Sequence, residues 1–147
     1  MLAVAHAQGE DGLPNTLSLG QWELLAGYLR PQTLETGEVL FHKGVVDRNL
    51  YLVESGSLSV HFEDSKGRLR LALIGAGSVV GEGAFFSHLP RSATVQANNL
   101  CRLWVLTALR FAELANRHPA LALALVLGVA SVQARRMPHR RLRAAST

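Results

Sequence analysis

Seven short strand-like runs follow one another between Glu38 and Leu106, and they limit the architecture more than any other feature of the chain. "EVLFH", "NLYLVE", "SLSVHF", "RLRLALI", "SVV", "SATVQA" and "CRLWVL" are preceded by Thr36-Gly37. They are parted by turn signals at Gly44, Ser55-Gly56, Lys66-Gly67 and Gly75 to Gly77. Strands this short and this evenly spaced close into a sandwich or a barrel-like roll. No repeat and no linker divides them. At 147 residues and 48% hydrophobic content the chain suits one domain with a real core.

Helices are expected at both ends. "SLGQ", Ser18 to Gln21, has the spacing of a capping box, and Trp22, Leu24, Leu25, Tyr28 and Leu29 then supply an apolar face up to a stop at Pro31. Thr107 is a candidate N-cap for "ALRFAELANRH", with Phe111, Leu114 and Ala115 toward the core. His118-Pro119 ends that helix and opens another, since proline fits the first helical turn. The following "ALALALVLGVASVQA" is apolar nearly all round, but its 15 residues before Arg135 fall short of the ~20 that a bilayer needs. The expectation is a buried helix, packed on the roll, on a second copy of the chain, or on the rest of a longer protein through Leu121 to Val132.

Charge and cysteine content restrict the setting. Five of the 15 Lys and Arg fall in the tail, at Arg135, Arg136, Arg140, Arg141 and Arg143, which leaves ten basic against 11 acidic residues elsewhere. The net charge of +4 is thus a property of the tail, read as a solvated terminus. No aromatic is interleaved with those arginines, so specific nucleic-acid binding has no support. Cys101 is the only cysteine, so neither an internal disulfide nor a cysteine metal cluster can form. "MLAVAHAQGE" lacks the pattern of a signal peptide. The expected setting is the cytoplasm, including the cytosolic part of a membrane protein.

One connection carries chemistry: "VVGEGAFFSHLPRSATVQA", Val79 to Ala97. The glycine turn into "EGAFF" opens a short helix, whose first N–H groups attract an anion. Arg91 can bring a bidentate guanidinium to the same anion. Glu82 repels phosphate but accepts hydrogen bonds from a ribose hydroxyl beside it, as acidic residues do in dinucleotide sites. Two readings stay open on these residues: a ribose-phosphate site, and a Glu82–Arg91 ion pair that closes a loop with no ligand.

"GEGAFFSHLPRSAT", Gly81 to Thr94, resembles without a gap the phosphate-binding cassette of the cyclic nucleotide-binding domains: Gly-Glu-(aliphatic)-Ala, about six variable residues, then Pro-Arg-(small)-Ala-Thr. "FHKGVVDRNLYLVESGSLSV" and "LTALRFAELANRHPALALAL" are similar to the family's glycine loop with its aromatic strand, and to its final strand with the helix pair. The resemblance covers Leu17 to Met137. It implies a mainly β fold with flanking helices: a double-stranded β-helix, or jelly-roll-like β-roll, with one N-terminal and two C-terminal helices. Residues 1–16 are then a flexible leader, 17–137 the domain with its lid helix, and 138–147 a basic disordered tail.

The resemblance also implies roles. Glu82 would hold the ribose 2′-hydroxyl and Arg91 the cyclic phosphate. Gly81, Gly83, Ala84, Ser92 and Ala93 would complete the ligand site, with Thr94, Ser131 and Arg135 as candidate base contacts. There are two departures: Gly83 stands where an aliphatic residue is usual, which implies a lost core contact, and Val45 replaces an acidic residue after Gly44. The implied function is a regulatory module that senses cyclic AMP or cyclic GMP and signals through its C-terminal helices to an effector such as a transporter or channel, with a homodimer through the last helix as a further partner. No cofactor, no metal and no enzyme activity are implied. The alternatives are a degenerate interaction domain that binds no ligand, and a cupin-like metal enzyme drawing on "HFED", His61 to Asp64.

Overall fold

A computed structural model describes residues 17–145, with side chains as far as Arg136. The expected leader, residues 1–16, lies outside the described residues. In chain order the elements are α1 (Leu19–Ala26), β1 (Arg30–Leu34), β2 (Val39–Phe41), β3 (Leu50–Ser55), β4 (Leu58–Glu63), β5 (Leu69–Ile74), β6 (Val79–Val80), α2 (Glu82–Ser87), β7 (Thr94–Ala97), β8 (Cys101–Leu106), α3 (Ala108–Arg117) and α4 (Pro119–Ala145). All seven strand-like runs form strands. α4 continues past Met137, where the domain was expected to end.

The strands build two four-stranded antiparallel sheets, ordered β1-β8-β3-β6 and β2-β7-β4-β5. Between them lies one core, which includes Tyr51, Val53, Leu58, Val95, Leu103 and Val105. A second core lies on the other face of the first sheet, where Leu50, Leu52 and Leu106 meet α1, α3 and α4. β3 and β8 are therefore buried on both faces, which is why "LYLV" and "LWVL" read as continuous apolar runs instead of alternating. The register sets Leu52 opposite Trp104 and Val53 opposite Leu103, which locks both faces at once.

Two local readings are corrected. α1 has its capping box on Ser18 and Gln21, but it ends at Ala26 with Gly27 as C-cap, and Leu24 on its outer side is exposed. Pro31 does not stop that helix. It sits in β1, opposite Trp104, on an edge strand, the place in a sheet where proline is tolerated. Thr107 caps α3 by accepting from the Arg110 N–H at 3.1 Å.

α4 folds back on its own domain. Leu121, Leu125, Val129 and Val132, at helical spacing, are all buried in the core shared with α1 and α3. Of the partners expected for the run Leu121 to Val132, the domain itself takes this face. The opposite side carries Leu123 and Leu127, both exposed.

Candidate functional site

The connection from β6 to β7 is built around Arg91. Its backbone N–H donates to the Val45 carbonyl, and its carbonyl accepts from the Gly44 N–H, both at 2.8 Å, so the loop between β2 and β3 is fastened to it. The residue is only 3% exposed, and its guanidinium lies over the Phe41 ring, 4.1 Å from the centroid. Nε donates to Asp47 Oδ2 at 3.2 Å and Nη2 pairs with Asp47 Oδ1. Nη2 also donates to the Asn49 carbonyl at 2.7 Å, and Nη1 to the Gly81 carbonyl at 3.1 Å. These bonds use four of the five N–H groups that a guanidinium carries. Tyr51 lies behind, and burial pushes its phenol above the ordinary value.

Gly81 makes this arrangement possible. It precedes α2 with φ of 88°, a left-handed conformation that favours glycine. A Cβ there would come within 2.6 Å of Arg91 Nη1 and 2.9 Å of the Asn49 carbonyl. Gly83 differs, because a Cβ there would meet nothing within 4 Å. The expectation that glycine at this position removes a core contact is therefore corrected: the side chain would point into open space beside the site.

Glu82, at 4% exposure, opens α2, where the helix dipole favours a carboxylate. It does not pair with Arg91. Its Oε1 meets Arg136 Nη1 of α4 at 2.6 Å, while Arg136 Nη2 donates to the Val79 carbonyl at 2.6 Å. The simple Glu82–Arg91 ion pair is thus excluded: the two residues are held separately, one by the last helix and the other by the loop before β3.

Both residues line one cavity of about 650 Å³. Gly81, Gly83 and Ala84 line it at the start of α2, and Ser92 and Ala93 beside Arg91. Phe62, Leu71 and Leu73 form an apolar wall, and Gln133, Arg135 and Arg136 of α4 close another side. Of the candidate base contacts, only Arg135 is in the lining. Thr94 Oγ1 instead accepts from the Lys43 N–H at 3.0 Å, and the Ser131 carbonyl accepts from Arg135 Nε at 3.3 Å. His61 is exposed on β4 opposite Leu71, and among the described residues no group of three His, Cys, Asp or Glu is placed to hold a metal ion.

Sequence reasoning missed Asp47 and Arg136. Asp47 is the only acid between Gly44 and Tyr51, and it supplies a carboxylate to a loop in which Val45 had seemed to remove one. For Arg136 the signal lay in helical phase: the buried positions 121, 125, 129 and 132 lead by one further turn to 136.

Residues 31–118 match the family model described as cyclic nucleotide-binding domain. A putative potassium channel protein of Rhodopseudomonas palustris is 32% identical over 108 residues, which are 72% of this chain and 26% of the relative, so the chain corresponds to about a quarter of that protein. Among solved structures, a cyclic nucleotide-binding domain from Methylobacillus flagellatus shares the fold with a TM-score of 0.80 at 20% identity, covering 97% of this chain and 78% of that one. The regulatory domain of Toxoplasma gondii PKA, co-crystallised with cAMP, superposes with a TM-score of 0.59 at 28% identity, covering 67% of this chain and 38% of that one. Among the described residues no helix is long and apolar enough to cross a membrane. With the family pattern matched over more than half the chain, and with the two-sheet roll and its flanking helices in place, the protein belongs to the cyclic nucleotide-binding domain family.

Proposed function

We propose that the chain is a non-catalytic, cytoplasmic sensor module. It binds a cyclic nucleotide in the cavity between the roll and α4, and relays occupancy through α4 to an effector. The observation that carries this reading is the convergence of buried Arg91 and buried Glu82 on one cavity without a bond between them. Arg91 keeps one N–H of Nη1 for an equatorial phosphate oxygen, with Asp47 fixing the guanidinium. Glu82 has its second carboxylate oxygen for the ribose 2′-hydroxyl. A ligand at Glu82 touches the residue that anchors Arg136, so binding biases how α4 sits on the roll. The effector, or a second copy of the chain, would meet the outward side of α4 at Leu123 and Leu127.

A ligand-free interaction module is the competing reading, favoured by Arg136 already occupying Glu82. Thermal melting with cyclic AMP, cyclic GMP and linear 5′-AMP separates the two. A ligand at a hundredfold excess over Kd adds about 2.7 kcal/mol to the folded state, which is roughly 5–10 °C in a domain of this size. The expected outcome is such a rise with a cyclic nucleotide, a much smaller one with 5′-AMP, and none in Arg91→Ala. No rise at millimolar concentrations of either cyclic nucleotide would establish the ligand-free reading.

A further inference from the structure

Glu82 sets an electrostatic obstacle to a cyclic nucleotide. In the proposed function its carboxylate accepts from the ribose 2′-hydroxyl, which sits on the carbon next to one that carries a phosphate oxygen. Two negative charges then stand about 6 Å apart in a cavity from which the ligand excludes water. At an effective dielectric constant of about 20 their repulsion weakens binding roughly a hundredfold.

The last helix supplies what offsets that repulsion. Arg136 Nη1 lies 2.6 Å from Glu82 Oε1, and the two side chains are 13% and 5% exposed. Nη2 donates to the Val79 carbonyl at 2.6 Å, which anchors the guanidinium to β6 as well. The start of α2 also favours a carboxylate, but it offers about half a positive charge, whereas the guanidinium brings a full one to hydrogen-bond distance. Arg91 and Arg135 also line the cavity. Arg91 is paired with Asp47, and Arg135 Nε donates back to the Ser131 carbonyl of its own helix. Among the described residues, Arg136 is the cation in ion-pair contact with Glu82.

Resting on that proposed function, we infer that Arg136 is the counter-charge that lets a buried carboxylate take part in binding an anion. The site is then built from two ion pairs, Asp47 with Arg91 and Glu82 with Arg136. The first presents its cation to the phosphate, and the second presents its carboxylate to the sugar. Arg136 is thus a positioning residue, which acts through Glu82 and not on the ligand.

The test is calorimetric titration of the whole chain with cyclic AMP and cyclic GMP, in wild type, Arg136→Met, Arg136→Lys and the double variant Arg136→Met with Glu82→Gln. Arg136→Met keeps an apolar stem and removes the charge, so it should bind the preferred nucleotide roughly a hundredfold more weakly than wild type. Arg136→Lys keeps the charge and should lose no more than about tenfold. Adding Glu82→Gln to Arg136→Met removes the uncompensated carboxylate and should recover at least about tenfold, which a role of Arg136 in helix packing alone would not produce. Melting without ligand gives a second measure: Arg136→Met should melt below the double variant, because it leaves a buried charge without its partner. Wild-type affinity in Arg136→Met, a loss that Glu82→Gln does not relieve, or equal melting of the two variants would overturn this inference and leave the proposed function standing. Failure of wild type to bind either nucleotide would overturn both.

Discussion

The guanidinium of Arg91 is held from three directions: by Asp47 on one edge, by the Asn49 and Gly81 carbonyls on the other, and by the Phe41 ring beneath. Such a side chain is held in one orientation by the protein's own groups, so in the proposed function little conformational freedom is left for it to lose on binding. The arrangement depends on the absence of a side chain at Gly81, where φ is positive and the Asn49 carbonyl leaves no room for a Cβ. Gly81→Ala is therefore expected to destabilise the fold by about 1–3 kcal/mol through backbone strain and displacement of Arg91. Urea denaturation measures it. A variant as stable as wild type would mean that the turn relaxes at no cost and that the contact with Arg91 is dispensable.

Among the elements, the hairpin of β4 and β5 shows how one residue closes a turn. The Asp64 carboxylate accepts from the Arg68 N–H at 3.0 Å, the Lys66 N–H at 2.9 Å and Arg70 Nε at 3.0 Å. These contacts, with the Arg68 N–H foremost, hold its pKa down to about 2, against 3.8 for a free aspartate. Because the folded value lies below the unfolded one, the contribution is complete above about pH 5 and is lost as the pH falls through the range toward 2. Stability followed by denaturant titration between pH 6 and pH 3 should fall more steeply for wild type than for Asp64→Asn. Parallel curves would remove Asp64 as a source of acid sensitivity.

For the molecule as a whole, the first sheet is the middle layer, with one core inside the roll and the other under the helices. α4 is the element common to the second core and to the cavity wall, through Leu125 on one side and Arg136 on the other. Its attachment to the roll therefore sets both stability and the shape of the site. Leu125→Ala, at a fully buried position, is expected to cost about 2–5 kcal/mol, and Leu127→Ala, on the exposed side, no more than about 0.5 kcal/mol. Denaturation midpoints of the two variants check this. Equal losses would mean that Leu127 is also covered, by another copy of the chain.

The strand order along the chain, the helix caps at Ser18 and Thr107 and the placing of Glu82 and Arg91 on one connection were legible in the sequence, because each is written in neighbouring residues: alternation, glycine turns, hydroxyl caps and one ungapped motif. β1 was not legible, since "RPQTL" carries a proline that only its place at a sheet edge makes harmless. The partners of Glu82 and Arg91 were hidden as well. Asp47 lies 44 residues from Arg91, and Arg136 lies 54 positions beyond Glu82, so their pairing depends on sheets closing and on a helix folding back. The sequence by itself thus determined which local elements form and which charged residues the connection carries. Only the tertiary structure decided which opposite charge each one meets, because a salt bridge acts through space over a few ångströms, and closing the roll brings together residues that the chain keeps far apart.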